Sequence, residues 1–162
     1  MRIVAVELLN WASYRGHHIF NFYSESGKNG YAIFGINSRG KTSFTDAIQW
    51  ALYGEAYTKA IIDSNRREIK SRRPLISEDA EDHPLLNVHA FRAGEIELFV
   101  KIIFDHEGER LTLSRVVAPD SDMASKVGEI GTSLFLDSSN GEFISGDSVQ
   151  EFINNILPKD IK

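Results

Sequence analysis

Gly35-Ile36-Asn37-Ser38-Arg39-Gly40-Lys41-Thr42 is the stretch on which the reading of this chain turns. It fits the pattern G-x-x-x-x-G-K-[ST]. Two Gly let the main chain curl tightly, so that several N–H groups point inward at phosphate oxygens. A helix opening at Lys41 adds the positive end of its dipole. In such a loop Lys41 reaches the outer phosphates and the Thr42 hydroxyl holds Mg²⁺. From average residue usage the four fixed positions arise by chance in about half a percent of chains this long.

The flanks decide whether the loop is real. Before it, Tyr31-Ala32-Ile33-Phe34 is a short apolar run, expected as a buried strand. After it the period changes. Phe44, Ala47, Ile48, Ala51 and Leu52 fall on one face of a helix over 41–53, and Gly54 is its expected stop. Strand, loop and helix in that order are the context the motif requires.

Further out, residues 2–11 read as a strand, Ser13 to Gly16 as a turn, and His18 to Phe22 as a second, antiparallel strand. Two long strands are expected at Glu95–Phe104 and Arg110–Val117, and a shorter hairpin around Asn140-Gly141. Val149, Phe152, Ile153, Ile156 and Leu157 have helical spacing. Ser148 and Glu151 offer a capping box before them, and Pro158 ends the run. Residues 55–94 carry five cations, Arg66, Arg67, Lys70, Arg72 and Arg73, then an acidic run from Glu78 to Asp82, and read as an excursion from the core. Arg115 shares parity with Leu111 and Leu113, so it is expected to turn inward and to need a partner there.

Composition narrows the classes. The chain has 162 residues, 42% hydrophobic and 25% charged, which is ordinary usage for one globular domain. It contains no Cys, which excludes a disulfide scaffold, a thiolate metal site and a Cys nucleophile. No apolar run is long enough to span a membrane, and no leader is visible, so a cytoplasmic location is expected. Eighteen cations against 23 acids give a net charge of −5. Nucleic acid would therefore have to be met by a local patch or by another part of an assembly.

Several of these segments together resemble a family. Leu9-Asn10-Trp11-Ala12-Ser13-Tyr14-Arg15-Gly16, the apolar strand, and Phe34 through Ser43 resemble the N-terminus of SMC-type ATPases. Asp46 through Gly54, Leu85-Leu86-Asn87, and Val149 through Lys159 are similar to the DndD branch, from DNA sulfur modification and phage defence. The resemblance spans nearly the whole chain. It departs at Ala12, where many members place an Arg that contacts nucleotide, and Arg15 is the nearest replacement. Ser38 stands where Gly is common.

The resemblance implies an α/β fold of the P-loop NTPase class, the N-terminal lobe of an ABC/SMC-type head. Its mixed sheet would carry antiparallel hairpins around a P-loop strand and helix. It implies ATP and Mg²⁺ as cofactors. Gly35, Asn37, Ser38, Arg39, Gly40, Lys41, Thr42 and Ser43 would bind nucleotide, with Lys41 catalytic and Thr42 on the metal. It implies that residues 1–162 form one ATPase lobe, completed by a C-terminal lobe beyond a coiled coil. A second head, in a homodimer, and DNA would be the other partners. Ile102-Ile103-Phe104-Asp105 and Ile144-Ser145-Gly146-Asp147-Ser148 mimic later motifs of such heads, but the first runs into an expected hairpin turn. Two rival readings are a small P-loop nucleotide kinase, with the 66–73 cluster as its lid, and a nucleotide-gated interaction module without turnover.

Overall fold

The computed structural model describes residues 1–22, 31–36, 40–54, 61–62, 68–69, 73–117 and 133–157. Its frame is a six-stranded sheet of β1 (Arg2–Trp11), β2 (Tyr14–Asn21), β5 (Leu98–His106), β6 (Glu109–Val117), β7 (Ser133–Ser138) and β8 (Phe143–Ser145), in the order β2-β1-β5-β6-β7-β8. A separate two-stranded pair is formed by β3 (Ile61–Ile62) and β4 (Glu68–Ile69). The helices are α1 (Lys41–Tyr53), the short α2 (Val88–Arg92) and α3 (Asp147–Ile156).

Alternation of apolar and polar residues builds this sheet. Leu98, Val100, Ile102 and Phe104 of β5 face inward, as do Val6 and Leu8 of β1, Leu111 and Leu113 of β6, and Leu134 and Leu136 of β7. Period two puts them on one face. α1 covers that face with Phe44, Ala47, Trp50, Ala51 and Leu52, and α3 with Val149 and Ile153. The β5–β6 turn needs only Glu107 and Gly108, both at positive φ, the geometry that suits tight hairpins. Asp105 and Arg110 pair across its base at 2.9 Å, which pulls the Asp105 carboxyl below its usual range. Asp105 therefore belongs to a hairpin and not to a metal-holding motif.

Three expectations need correction. The sheet is not mixed. Every pairing among the described strands is antiparallel, and tight turns join β1 to β2, β5 to β6 and β7 to β8. Tyr31 to Phe34 do not form a buried strand. They pair with no strand among the described residues, and Phe34 and Ile36 are 90% and 77% exposed. The capping box of α3 does not form. Gly146 occupies the N-cap position, one residue before Asp147, and no side chain caps that end.

The stretch 55–94 also differs from a free excursion where it is described. Leu85 and Leu86 are buried in the core, and Leu86 bridges to Trp11. Ala12 N–H donates to Leu85 O at 2.6 Å, and Asn87 N–H to Asn10 O at 2.7 Å. Asn87 then caps α2 through its side-chain oxygen while its amide donates to Ala12 O. Of the five cations, Arg73 is tied down, and Arg66, Arg67, Lys70 and Arg72 lie outside the described residues.

Arg115 does turn inward, as parity requires, but it meets no carboxylate among the described residues. Its Nε donates to Ala51 O at 3.2 Å and its Nη2 to Gln150 Oε1 at 3.0 Å. The guanidinium lies 5.7 Å from the centre of the Trp50 ring. Burial pushes its pKa down to about 10, which leaves it charged at neutral pH. A cation at the C-terminal end of α1 complements the helix dipole. A lysine cannot make both bonds from one fixed fork. Arg115→Lys is therefore expected to cost about 1–2 kcal/mol in urea unfolding at pH 7, through loss of a charged hydrogen bond in the core. An unchanged midpoint would show that the two bonds contribute nothing net.

Candidate functional site: the Gly35–Thr42 loop and the first turn of α1

α1 begins where Gly40 turns the chain. Gly40 has φ +90, a backbone region that favours glycine, and it is buried. Its carbonyl accepts the first helical bond from Phe44 N–H at 2.8 Å. Among the described residues no side chain caps this end of the helix, which leaves its first N–H groups to face an anion.

Lys41 folds back across the loop. Its Nζ donates to Gly35 O at 2.6 Å and to Ile36 O at 2.9 Å. Those two bonds fasten the start of the loop to the start of the helix. An ammonium has three N–H groups, so one remains for a ligand. Among the described residues Lys41 pairs with no carboxylate. The side chain also passes close over Gly35, where a Cβ would sit 3.7 Å from Lys41 Cγ.

The structure thus brings together Gly35, Gly40 and Lys41 of the expected site. Thr42 is exposed, and its carbonyl is held by Thr45 Oγ1 at 2.9 Å. Ser43 is turned the other way. Its hydroxyl meets Ser13 Oγ at 3.1 Å. Asn37, Ser38 and Arg39 lie outside the described residues. Arg15, the nearest replacement for the Arg missing at Ala12, pairs with Glu95 at 3.1 Å on the surface.

Motif spacing gives no sign of the residues that hold the loop from outside. Trp11 is fully buried, and its indole N–H donates to Ser43 O at 2.7 Å. Tyr14 Oη donates to Gly40 O at 3.0 Å. Both come from the end of the β1–β2 hairpin, about thirty residues earlier in the chain. Asn10 makes that hairpin end rigid. It is buried at φ +49, accepts from Gly16 N–H at 2.8 Å, and donates to Glu97 O at 3.1 Å. Asn is among the few residues that tolerate that conformation. The only hint in the sequence is that Asn10, Trp11, Ser13 and Tyr14 all stand in the segment that carries the family resemblance.

One turn along α1, Asp46 accepts from Arg73 Nη1 at 2.9 Å. Arg73 also donates to His83 O at 2.7 Å and Pro84 O at 3.2 Å, and its side chain is 8% exposed. Burial raises the Asp46 carboxyl above its usual range, and the Arg73 charge only partly offsets this. Burial likewise lowers Arg73. The sign follows directly. Asp46 holds its proton to higher pH in the folded than in the unfolded chain, so its ionisation costs stability as pH rises through the folded pKa. Such a pair adds little net stability but is costly to break from one side. Asp46→Ala leaves Arg73 buried without its counter-charge. The expected loss is about 3 kcal/mol in chemical unfolding at pH 7. A loss below about 1 kcal/mol would mean that Arg73 swings out to water when its partner is gone.

Among the described residues no group of three or more His, Asp or Glu is placed to hold a metal ion. No described helix is long and apolar enough to cross a membrane. No curated protein matches the chain. The family model described as an AAA domain matches residues 5–161, nearly the full chain and including the whole loop. The chain belongs to the AAA-domain family, and this is the N-terminal, loop-bearing region of a P-loop ATPase.

Proposed function

We propose that the chain is the ATP- and Mg²⁺-binding half of an SMC-like ATPase head of the DndD kind. It acts on DNA as part of an assembly, in DNA modification, phage defence or repair. The observation that carries this reading is Lys41, with its ammonium bonded to Gly35 O and Ile36 O at the uncapped start of α1. The residues suit a polyphosphate. A helix N-terminus and an ammonium with no carboxylate partner among the described residues converge on one loop, in a chain that is acidic overall. Bound Mg²⁺ would neutralise charge on the outer phosphates. Thr42, exposed at the helix start, is the hydroxyl to hold it, and Asn37, Ser38 and Arg39 complete the cradle by sequence.

The lobe does not hydrolyse ATP by itself in this reading. A C-terminal lobe and a second head supply the groups that activate water and enclose the γ-phosphate. The unpaired segment at residues 31–36 supports such a partner. Tyr31, Ile33, Phe34 and Ile36 are all exposed. A cavity of about 360 Å³ lies beside them, against Ile3, Phe22, Phe44 and Ile48. Exposed apolar side chains around an apolar cavity suit a docking site, and the missing lobe is the proposed occupant. The all-antiparallel sheet weighs against a small nucleotide kinase, which is built on parallel βα repeats.

The experiment is nucleotide binding and turnover by the 162-residue chain, with Lys41→Ala beside it. The expected result is weak MgATP binding, about tenfold or more weaker in Lys41→Ala, with negligible turnover in either. Adding a C-terminal lobe should raise turnover in the wild-type chain alone. Brisk turnover by the 162-residue chain, abolished in Lys41→Ala, would sink the half-site reading. Absence of any triphosphate binding would sink the site itself.

A further inference from the structure

The β1–β2 hairpin end grips the first turn of α1 at the peptide where the loop becomes helix. Gly40 O accepts two hydrogen bonds, from Phe44 N–H at 2.8 Å and from Tyr14 Oη at 3.0 Å. The second is not part of any helix. The Tyr14 ring lies close over Gly40, where a Cβ would come within 3.0 Å of Tyr14 Cζ and Oη, and the φ of +90 at Gly40 also favours glycine. The ring is itself fixed. It packs edge-on against His18 at 5.3 Å and Phe20 at 5.6 Å, and Phe20 packs on Phe44 of α1 at 4.7 Å.

A trans peptide is planar, and its C=O and N–H point in opposite directions. The carbonyl of Gly40 and the amide of Lys41 belong to one such plane. Fixing the carbonyl toward Tyr14 fixes the Lys41 N–H away from it. A donor on the carbonyl also polarises the peptide and strengthens that N–H as a donor. We propose that Tyr14 is a positioning residue for polyphosphate binding, its hydroxyl acting through the Gly40 carbonyl to aim and strengthen the Lys41 amide as a phosphate donor. The inference rests on the reading of the loop as a phosphate site. Partial burial raises the pKa of Tyr14, which keeps the hydroxyl a donor throughout the neutral range.

Trp11 and Ser13 do different work. Trp11 bonds to Ser43 O, and Ser13 to Ser43 Oγ, both further into the helix. They hold α1 to the sheet. Of Trp11, Ser13 and Tyr14, Tyr14 is the one that bonds to the peptide carrying the Lys41 amide.

The test is Tyr14→Phe in the 162-residue chain, which keeps the ring and removes one oxygen. The probes are Mg-tripolyphosphate and MgATP, read by calorimetry, with the Lys41 amide proton followed by NMR. Affinity for both probes is expected to fall about five- to twentyfold, the scale of one charge-assisted hydrogen bond. The Lys41 amide resonance should shift to higher field in the ligand-free variant, with the ligand-free thermal midpoint little changed. In the wild-type chain, tripolyphosphate should move the same resonance to lower field. Equal affinities in variant and wild type overturn the proposal and leave the phosphate site standing. A loss of affinity that tracks a loss of ligand-free stability, with the Lys41 amide unmoved, overturns it as well and makes Tyr14 merely structural. Should Tyr14→Phe fail to fold, the wild-type spectrum decides, because tripolyphosphate bound without moving the Lys41 amide rules the mechanism out. A wild-type chain that binds neither probe removes the phosphate site and this inference together.

Discussion

The indole N–H of Trp11 cannot be buried without an acceptor, and the acceptor it finds is the backbone of α1. A ring of that size belongs in the core for its apolar area, but its single donor must be satisfied there. Ser43 O is the partner, at 2.7 Å. That one requirement brings the end of β1 against the first turn of the helix that follows the loop. The Trp11 and Trp50 rings, 5.1 Å apart, then set how α1 lies on the sheet. Asn10 and Asn87 lock the same hairpin end from below, one by adopting a rare backbone conformation and the other by spanning to Ala12 O. The position of the loop is therefore a consequence of the sheet, transmitted through Trp11, Tyr14 and the asparagines that fix the hairpin end.

α1 is fixed at its other end by a second polar device. Arg115 reaches up from β6 to Ala51 O, and Gln150 of α3 joins it by accepting from Arg115 and donating to Leu52 O at 3.0 Å. The helix leaves carbonyls unsatisfied at its C-terminus, and these two side chains answer them. A sheet residue, the loop helix and the last described helix thus share one network. Without it, a buried guanidinium with no carboxylate partner would be among the most costly groups in the core. The dipole of α1 meets a cation at its C-terminal end and presents its positive end, uncapped, to the loop.

Much of this was legible in the residues themselves, for reasons that differ by element. β1, the β5–β6 hairpin and α1 follow from periodicity, because each buries one face of a regular element. Gly54 ends α1 as expected: its N–H still donates to Trp50 O, and its positive φ, which suits glycine, then turns the chain out of the helix. The 31–36 segment was misread for a physical reason. An apolar run states that burial is wanted, and it does not state that a partner is present to supply it. Ser148 and Glu151 match the spacing of a capping box, while the chain turns into α3 two residues earlier, at Gly146. The external supports of the loop were invisible for another reason. Contacts between Tyr14 and Gly40, or Arg73 and Asp46, join residues about twenty-six apart, and no local pattern encodes them.

Charge explains why those distant contacts matter at the loop. The chain as a whole is acidic, so its long-range field does not draw a polyphosphate in. Attraction must come from groups within a few ångströms. Asp46 stands one turn beyond Thr42 on the same helix, and an unpaired carboxylate there would oppose an anion at the helix start. Arg73 cancels it, at 2.9 Å and largely out of water, where screening by salt is weak. What remains locally, among the described residues, is the N-terminal end of a helix dipole and one ammonium already bonded to the loop. The segment that delivers Arg73 is held in place by Leu85 and Leu86 in the core, next to Trp11. The electrostatics of the loop and the packing of the sheet are thus one arrangement, since the buried leucines that anchor residues 73–87 also station the cation that silences Asp46.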